Sequence, residues 1–180
     1  MADTTDLPCP LADITLVLGG ARSGKSRHAE AMIVASGLAP FYIATAEARD
    51  GEMHKRIETH RVRRGERWQT IEEPLALAET LHSVAAEGRA LLVDCLTLWL
   101  TNLMVHDLAV DAEVEKLMRS LDRLDGAVVF VSNEVGLGVM PTNAMARAFI
   151  DHAGLLHQRL AEVADKVLLM TAGLPQQLKP

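Results

Sequence analysis

The chain has 180 residues, 49% of them apolar and 23% charged, which suits one domain with a sizeable core. Its net charge of −6 argues against general nucleic-acid binding, no apolar run approaches the ~18 residues of a membrane span, and Cys9 and Cys95 give neither a disulfide framework nor a metal-ligand spacing. The first ten residues are polar and contain proline, with no basic stretch leading into an apolar one, so a cytoplasmic protein is expected.

Residues 1–13 read as a loose N-terminal tail and residues 14–180 as the folded domain. Ile14-Thr15-Leu16-Val17-Leu18 has the pattern of a short buried strand. Gly19-Gly20-Ala21-Arg22-Ser23-Gly24-Lys25-Ser26 follows it and fits G-x-x-x-x-G-K-[ST], and residues 27–35 then read as a helix. Phe41-Tyr42-Ile43-Ala44 is a short strand, residues 51–64 a highly charged helix, and residues 74–86 an amphipathic helix. Ala90-Leu91-Leu92-Val93 is an apolar strand ending in Asp94, followed by helices over 96–105 and 111–124. Ala127-Val128-Val129-Phe130-Val131 is another buried strand, residues 143–164 a long helical region, and residues 166–171 the last strand. Apolar strands alternating with helices imply a mainly parallel sheet covered on both faces, with ligands beyond the strand C-termini. The Gly-rich turn, Asp94 and Asn133-Glu134 all fall at such ends.

A strand, a Gly-rich turn and a helix N-terminus together make a phosphate cradle, because glycines let successive backbone N–H groups turn onto the anion. Lys25 is expected to reach the β- and γ-phosphates of a nucleoside triphosphate, and the Ser26 hydroxyl to bind Mg²⁺. Asp94, ending an apolar strand, suits the second Mg²⁺-handling position, though a strand-end carboxylate also caps helices. Residues 49–67 hold Arg49, Lys55, Arg56, Arg61, Arg63, Arg64 and Arg67 against four acids. Such a run is either a solvated helix face or, beside a phosphate cradle, a triphosphate clamp. His60 lies within it, and a neutral imidazole there can attack phosphorus. His28 follows the cradle and reads equally as structural, while His82, His106, His152 and His157 read as surface or capping residues. Asn133 and Glu134 either face the γ-phosphate or its acceptor, or simply join strand to helix.

Together these segments resemble the bifunctional adenosylcobinamide kinase/adenosylcobinamide-phosphate guanylyltransferase family of cobalamin biosynthesis. The residues carrying the resemblance are the run from Leu18 through Arg27, Tyr42-Ile43-Ala44-Thr45-Ala46, Glu52-Met53 with Arg56-Ile57, His60-Arg61 and Trp68. Asp94-Cys95-Leu96-Thr97, Thr101-Asn102-Leu103, Ser132-Asn133-Glu134-Val135-Gly136 with Pro141, and His157-Gln158-Arg159-Leu160-Ala161 continue it. The expected fold is an α/β P-loop NTPase of RecA-like type, a mostly parallel sheet with helices on both faces in a single domain. The resemblance implies phosphorylation of adenosylcobinamide by ATP or GTP, then transfer of GMP from GTP through a guanylylated histidine to give adenosylcobinamide-GDP. It implies His60 as that histidine, with Lys25 as the other catalytic residue. It implies GTP contacts at Gly19, Gly20, Ala21, Arg22, Ser23, Gly24, Lys25, Ser26, Ala44, Thr45, Ala46, Arg61, Val62, Arg63, Arg64, Glu72 and Asp94, and Mg²⁺ at Ser26 and Asp94. A homotrimer is implied by similarity alone. A single-activity P-loop kinase of a small molecule, or a non-catalytic nucleotide switch, are the competing readings of the cradle.

Overall fold

The computed structural model describes residues 11–47 and 67–180. The expected helix over 51–64 and most of the N-terminal tail lie outside them. Seven strands form one sheet: β1 (Ile14–Gly19), β2 (Ala39–Ala44), β3 (Gln69–Glu72), β4 (Arg89–Asp94), β5 (Ala127–Asn133), β6 (Lys166–Thr171) and β7 (Leu174–Lys179). Their order is β3-β2-β4-β5-β1-β6-β7, with every pairing parallel except β6 with β7. The helices among the described residues are α1 (Lys25–Ser36), α2 (Leu77–Val84), α3 (Leu96–Val105), α4 (Val110–Leu121) and α5 (Ala144–Val163).

The period-2 alternation of the strands sorts the core into two layers. Leu16, Leu18, Phe41, Ile43, Leu91, Val93, Val128 and Phe130 face one way, against apolar residues of α2, α3, α4 and α5. Val17, Tyr42, Leu92, Val129 and Val131 face the other way, against Ala29, Met32 and Ile33 of α1. The central strands are therefore buried on both sides, which is why they read as unbroken apolar runs. Full burial of each such Leu, Val or Phe contributes about 1.5–3 kcal/mol.

Two strands depart from the sequence expectation. β3 carries one apolar residue, Ile71, between exposed polar ones, and lies at the sheet edge beside β2. β7 makes residues 166–171 the penultimate strand. It is exposed along most of its length, contains Pro175, and pairs antiparallel with β6 through a tight turn in which Ala172 and Gly173 both have positive φ. α2 starts three residues later than expected, because Glu73 Oε1 accepts the N–H groups of Leu75 and Ala76 at 2.9 and 2.7 Å and closes a turn there. α4 ends at Leu121, short of the expected 124. Asp13 O accepts the Val128 N–H at 2.7 Å, so ordered pairing begins just before β1.

Candidate active site

Strand register brings the polar positions to one edge of the sheet. Gly19 pairs with Asn133 across β1 and β5, and Ala44 lies between Glu72 of β3 and Asp94 of β4. Because these strands are parallel, the turn after β1 and the C-terminal ends of β2, β3, β4 and β5 share the edge where open α/β sheets bind ligands.

The turn itself has the backbone of an anion cradle. Gly19 has a φ of 154°, and a Cβ there would meet Met170 O and Ser23 Oγ at 2.6 Å each. Gly24 has a φ of 99° and sits at the N-cap of α1, where a side chain would approach Gly173 Cα at 3.3 Å. Both positions therefore demand glycine, one for close approach and one for handedness. The Gly173 N–H donates to Ser23 O at 2.9 Å, so the β6–β7 turn braces the cradle. α1 starts without a side-chain cap and without an acidic residue in its first turn, leaving its N–H groups and positive dipole end for an anion. Ser23 Oγ is buried without a hydrogen-bond partner among the described residues, a further donor for a phosphate oxygen. Gly20, Ala21 and Arg22 line the exposed part of the turn, and Ser26 is half-buried in the first turn of α1. A phosphate group fits this arrangement.

Lys25 is buried, and its Nζ donates to Gly20 O at 2.9 Å. Burial lowers its ammonium pKa, while Cys95 and Asp94 nearby oppose that shift. Asp94 is half-buried at the end of β4 and accepts the Tyr42 hydroxyl at 3.1 Å. Among the described residues no three His, Cys, Asp or Glu side chains gather to hold a metal. Ser26 and Asp94 would be the oxygen donors for a Mg²⁺ ion that takes its remaining ligands from phosphate and water.

Beneath this edge runs a buried polar floor that the sequence did not delineate. Thr45 is wholly buried and its hydroxyl donates to Cys95 O at 2.8 Å. Asn102 of α3 donates to Thr45 O and Pro74 O at 2.7 and 3.1 Å. Thr97 Oγ1 lies 3.1 Å from Cys95 Sγ and accepts from Asn133 Nδ2 at 2.8 Å. Burial raises the Cys95 thiol pKa, and Asp94 adds to that rise. His157 belongs to the floor rather than to the surface: it is buried, and its Nε2 meets Ser132 Oγ of β5 at 2.7 Å. Burial lowers its pKa, with Glu134 acting in the opposite direction. His82 lies on the exposed side of α2, His106 meets Glu47 at 2.9 Å, and His152 lies 3.6 Å from Asp111.

Of the expected site residues, Gly19, Gly20, Ala21, Arg22, Ser23, Gly24, Lys25, Ser26, Ala44, Thr45, Ala46, Glu72 and Asp94 come to one edge; Glu72 is exposed and Ala46 half-buried. His60, Arg61, Val62, Arg63 and Arg64 lie outside the described residues. The floor residues Thr97, Asn102, Asn133 and His157 stand within the motifs that carry the family resemblance, but their pairings span 25 to 57 residues and have no local signal. A depression of about 720 Å³ lies at the opposite edge, among Asp13, Ser36, Gly88, Arg89, Asp125 and Gly126. It collects strand beginnings, and no glycine-rich helix entrance opens onto it, so the cradle is the better ligand site.

Comparisons with known proteins bear on the family and on the fold. The family model for cobinamide kinase / cobinamide phosphate guanyltransferase matches residues 15–178. The bifunctional adenosylcobalamin biosynthesis protein CobP of Pseudomonas aeruginosa is 57% identical over 166 residues, covering 91% of this chain and 96% of that protein. The bifunctional adenosylcobalamin biosynthesis protein CobU of Escherichia coli K12 is 40% identical over 179 residues, covering 91% and 98%. Among solved structures, a protein of Pyrococcus horikoshii OT3 matches with a TM-score of 0.59 at 13% identity, covering 96% of this chain and 88% of that one. The flagellar accessory protein FlaH of Methanocaldococcus jannaschii matches with a TM-score of 0.52 at 12% identity, covering 94% and 79%. These two bear on the fold alone; the family model and the close relatives bear on kinship, and by them this chain belongs to the cobinamide kinase / cobinamide phosphate guanyltransferase family.

Proposed function

We propose that this protein phosphorylates the aminopropanol hydroxyl of adenosylcobinamide with ATP or GTP, and then transfers GMP from GTP to the product, giving adenosylcobinamide-GDP. The observation that carries the reading is the joint position of the cradle, Lys25 and Asp94 at one sheet edge, in a chain matched by the family model from residue 15 to residue 178.

In the kinase step the amides from Gly19 to Ser26 hold the phosphate chain by its oxygens, and Ser23 Oγ adds a donor. Lys25 exchanges the Gly20 carbonyl for phosphate oxygens, a change of partner within reach of one side chain. Ser26 and Asp94 would hold Mg²⁺, which neutralises charge building up on the transferred group. The work of these residues is positioning and electrostatic stabilisation.

In the second step a ring nitrogen of His60 attacks the α-phosphorus of GTP. A P–N bond forms, the P–O bond to pyrophosphate breaks, and pyrophosphate leaves. A phosphate oxygen of adenosylcobinamide phosphate then attacks the same phosphorus, forming the P–O–P link and freeing the histidine. An unperturbed imidazole, with a pKa of about 6.5, is largely neutral and nucleophilic at neutral pH. Arg61, Arg63 and Arg64, adjacent in sequence, would favour that neutral form and draw charge from the α-phosphate. The same family reading carries a homotrimer working in the cytoplasm.

Chromatography of the corrinoid products tests this directly. With ATP alone the enzyme is expected to yield cobinamide phosphate, and with GTP to yield cobinamide-GDP and pyrophosphate. Phosphate ester as the sole product with GTP would leave a single-activity kinase; nucleotide hydrolysis without a corrinoid product would leave a switch.

A further inference from the structure

The loop that leaves β5 combines two properties that rarely coincide in a folded chain. It is tied down at both ends, and it exposes large apolar side chains. The Glu134 N–H donates to Gly19 O at 3.0 Å, so the loop starts on the first residue of the phosphate cradle. Gly136 N–H donates to Glu134 Oε1 at 2.6 Å. At the far end Arg147 Nη1 donates to Pro141 O and Thr142 O at 3.1 and 2.6 Å, and the Asn143 side chain caps α5 through the Ala146 N–H. Between these anchors Leu137 is 86% exposed, Val139 96% and Met140 53%, with Met145 at 64% on the first turn of α5. Single exposed apolar residues are ordinary, but a cluster of four on one anchored segment marks a surface that something covers.

The chemistry of the segment limits what that is. Residues 135–146 contain no charged side chain. Leu137 is three chain steps from Glu134, so its Cα lies at most roughly 11 Å from that of Glu134, the residue whose N–H bonds Gly19 O. A neutral, apolar ledge at that distance suits a wide apolar macrocycle fringed by uncharged amides, with a hydroxyl-bearing arm reaching the phosphate. A second copy of this chain has no such reason to start at the rim of the phosphate site. The two methionines add flexible, polarisable contact that accommodates an irregular ring.

We propose that residues 135–140, with Met145 beside them, form the ledge on which the corrinoid ring docks, presenting its hydroxyl to the phosphate held by the cradle. This rests on the kinase reading given under Proposed function. It assigns acceptor binding to β5 and α5, while the nucleotide is held by β1 and α1.

The test is the double variant Leu137→Ser/Val139→Ser, assayed in the cobinamide kinase reaction with cobinamide and nucleotide varied separately. Both side chains are solvent-exposed, so thermal stability is expected to match wild type. Loss of two apolar contacts is expected to raise the KM for cobinamide about tenfold or more, with the KM for nucleotide and protein labelling by α-labelled GTP unchanged. An unchanged KM for cobinamide overturns the proposal. If sedimentation then also detects a smaller assembly, the loop is a contact between copies. A wild-type enzyme that forms no cobinamide phosphate contradicts the kinase reading itself, an outcome distinct from a variant that matches an active wild type.

Discussion

The cradle after β1 and the polar floor beneath β2, β4 and β5 lie side by side but are built in opposite ways. The cradle is local: eight consecutive residues with two obligatory glycines and one lysine lead into a helix start that no side chain caps. The floor is non-local: Thr97 and Asn102 of α3, Ser132 and Asn133 of β5, His157 of α5, and Thr45 and Cys95 in the connections after β2 and β4 turn their polar groups on one another. A segment that keeps its donors for a ligand carries chemistry, whereas one whose donors are consumed internally carries stability. The difference is therefore one of where the hydrogen bonds go, and substitutions on the two sides should separate rate from stability.

The largest effect is expected at Lys25. Lys25→Ala should lower phosphoryl transfer by about 100- to 1,000-fold, comparable to removing a principal oxyanion donor. The variant should stay folded, since the change removes a buried charge whose desolvation already opposes it. Matched kcat and melting measurements check this; a rate within a few-fold of wild type would break the assignment of chemistry to the cradle.

Asn102 should behave in the opposite way. Its Nδ2 serves Thr45 O and Pro74 O, both of which lose that donor in Asn102→Ala. Such a loss costs about 2–3 kcal/mol, and Tm should drop by about 5–10 °C in a domain of this size. Turnover per folded molecule should change far less than for Lys25→Ala. A stable but inactive Asn102 variant would move the floor into the catalytic machinery.

The smallest effect is a pH dependence at His157. Burial holds its folded pKa below the unfolded value of about 6.5. As pH falls through that value the unfolded chain takes up a proton that the folded chain refuses, so stability is lost on acidification down to the folded pKa. His157→Gln can keep a bond to Ser132 and does not titrate; its Tm should fall less steeply than that of wild type between pH 7.5 and 5.5. Equal slopes would remove His157 as the source of the acid sensitivity.

The same contrast explains what the sequence disclosed. The cradle was legible because phosphate binding needs particular residue types at fixed offsets, and β1 and α1 flank it without interruption. The central strands were legible because burial on both faces leaves apolar runs. β3 and β7 escaped because edge strands face solvent and lack that signature, and β7 also carries Pro175. The floor escaped because its partners lie as far apart as Thr45 and Asn102, and nothing near Asn102 distinguishes a buried amide from an exposed one. His157 illustrates the point: a histidine without a surrounding motif reads as surface until β5 brings Ser132 to it.

We propose that one nucleotide cradle serves two nucleophiles, the corrinoid hydroxyl at the γ-phosphate and His60 at the α-phosphate. Intact-mass and peptide-mapping spectrometry after incubation with GTP tests it most directly. The expected result is a gain of one GMP per chain, acid-labile and base-stable, located on His60 and missing in His60→Ala. Absence of any adduct, or an adduct that persists in His60→Ala, would contradict it.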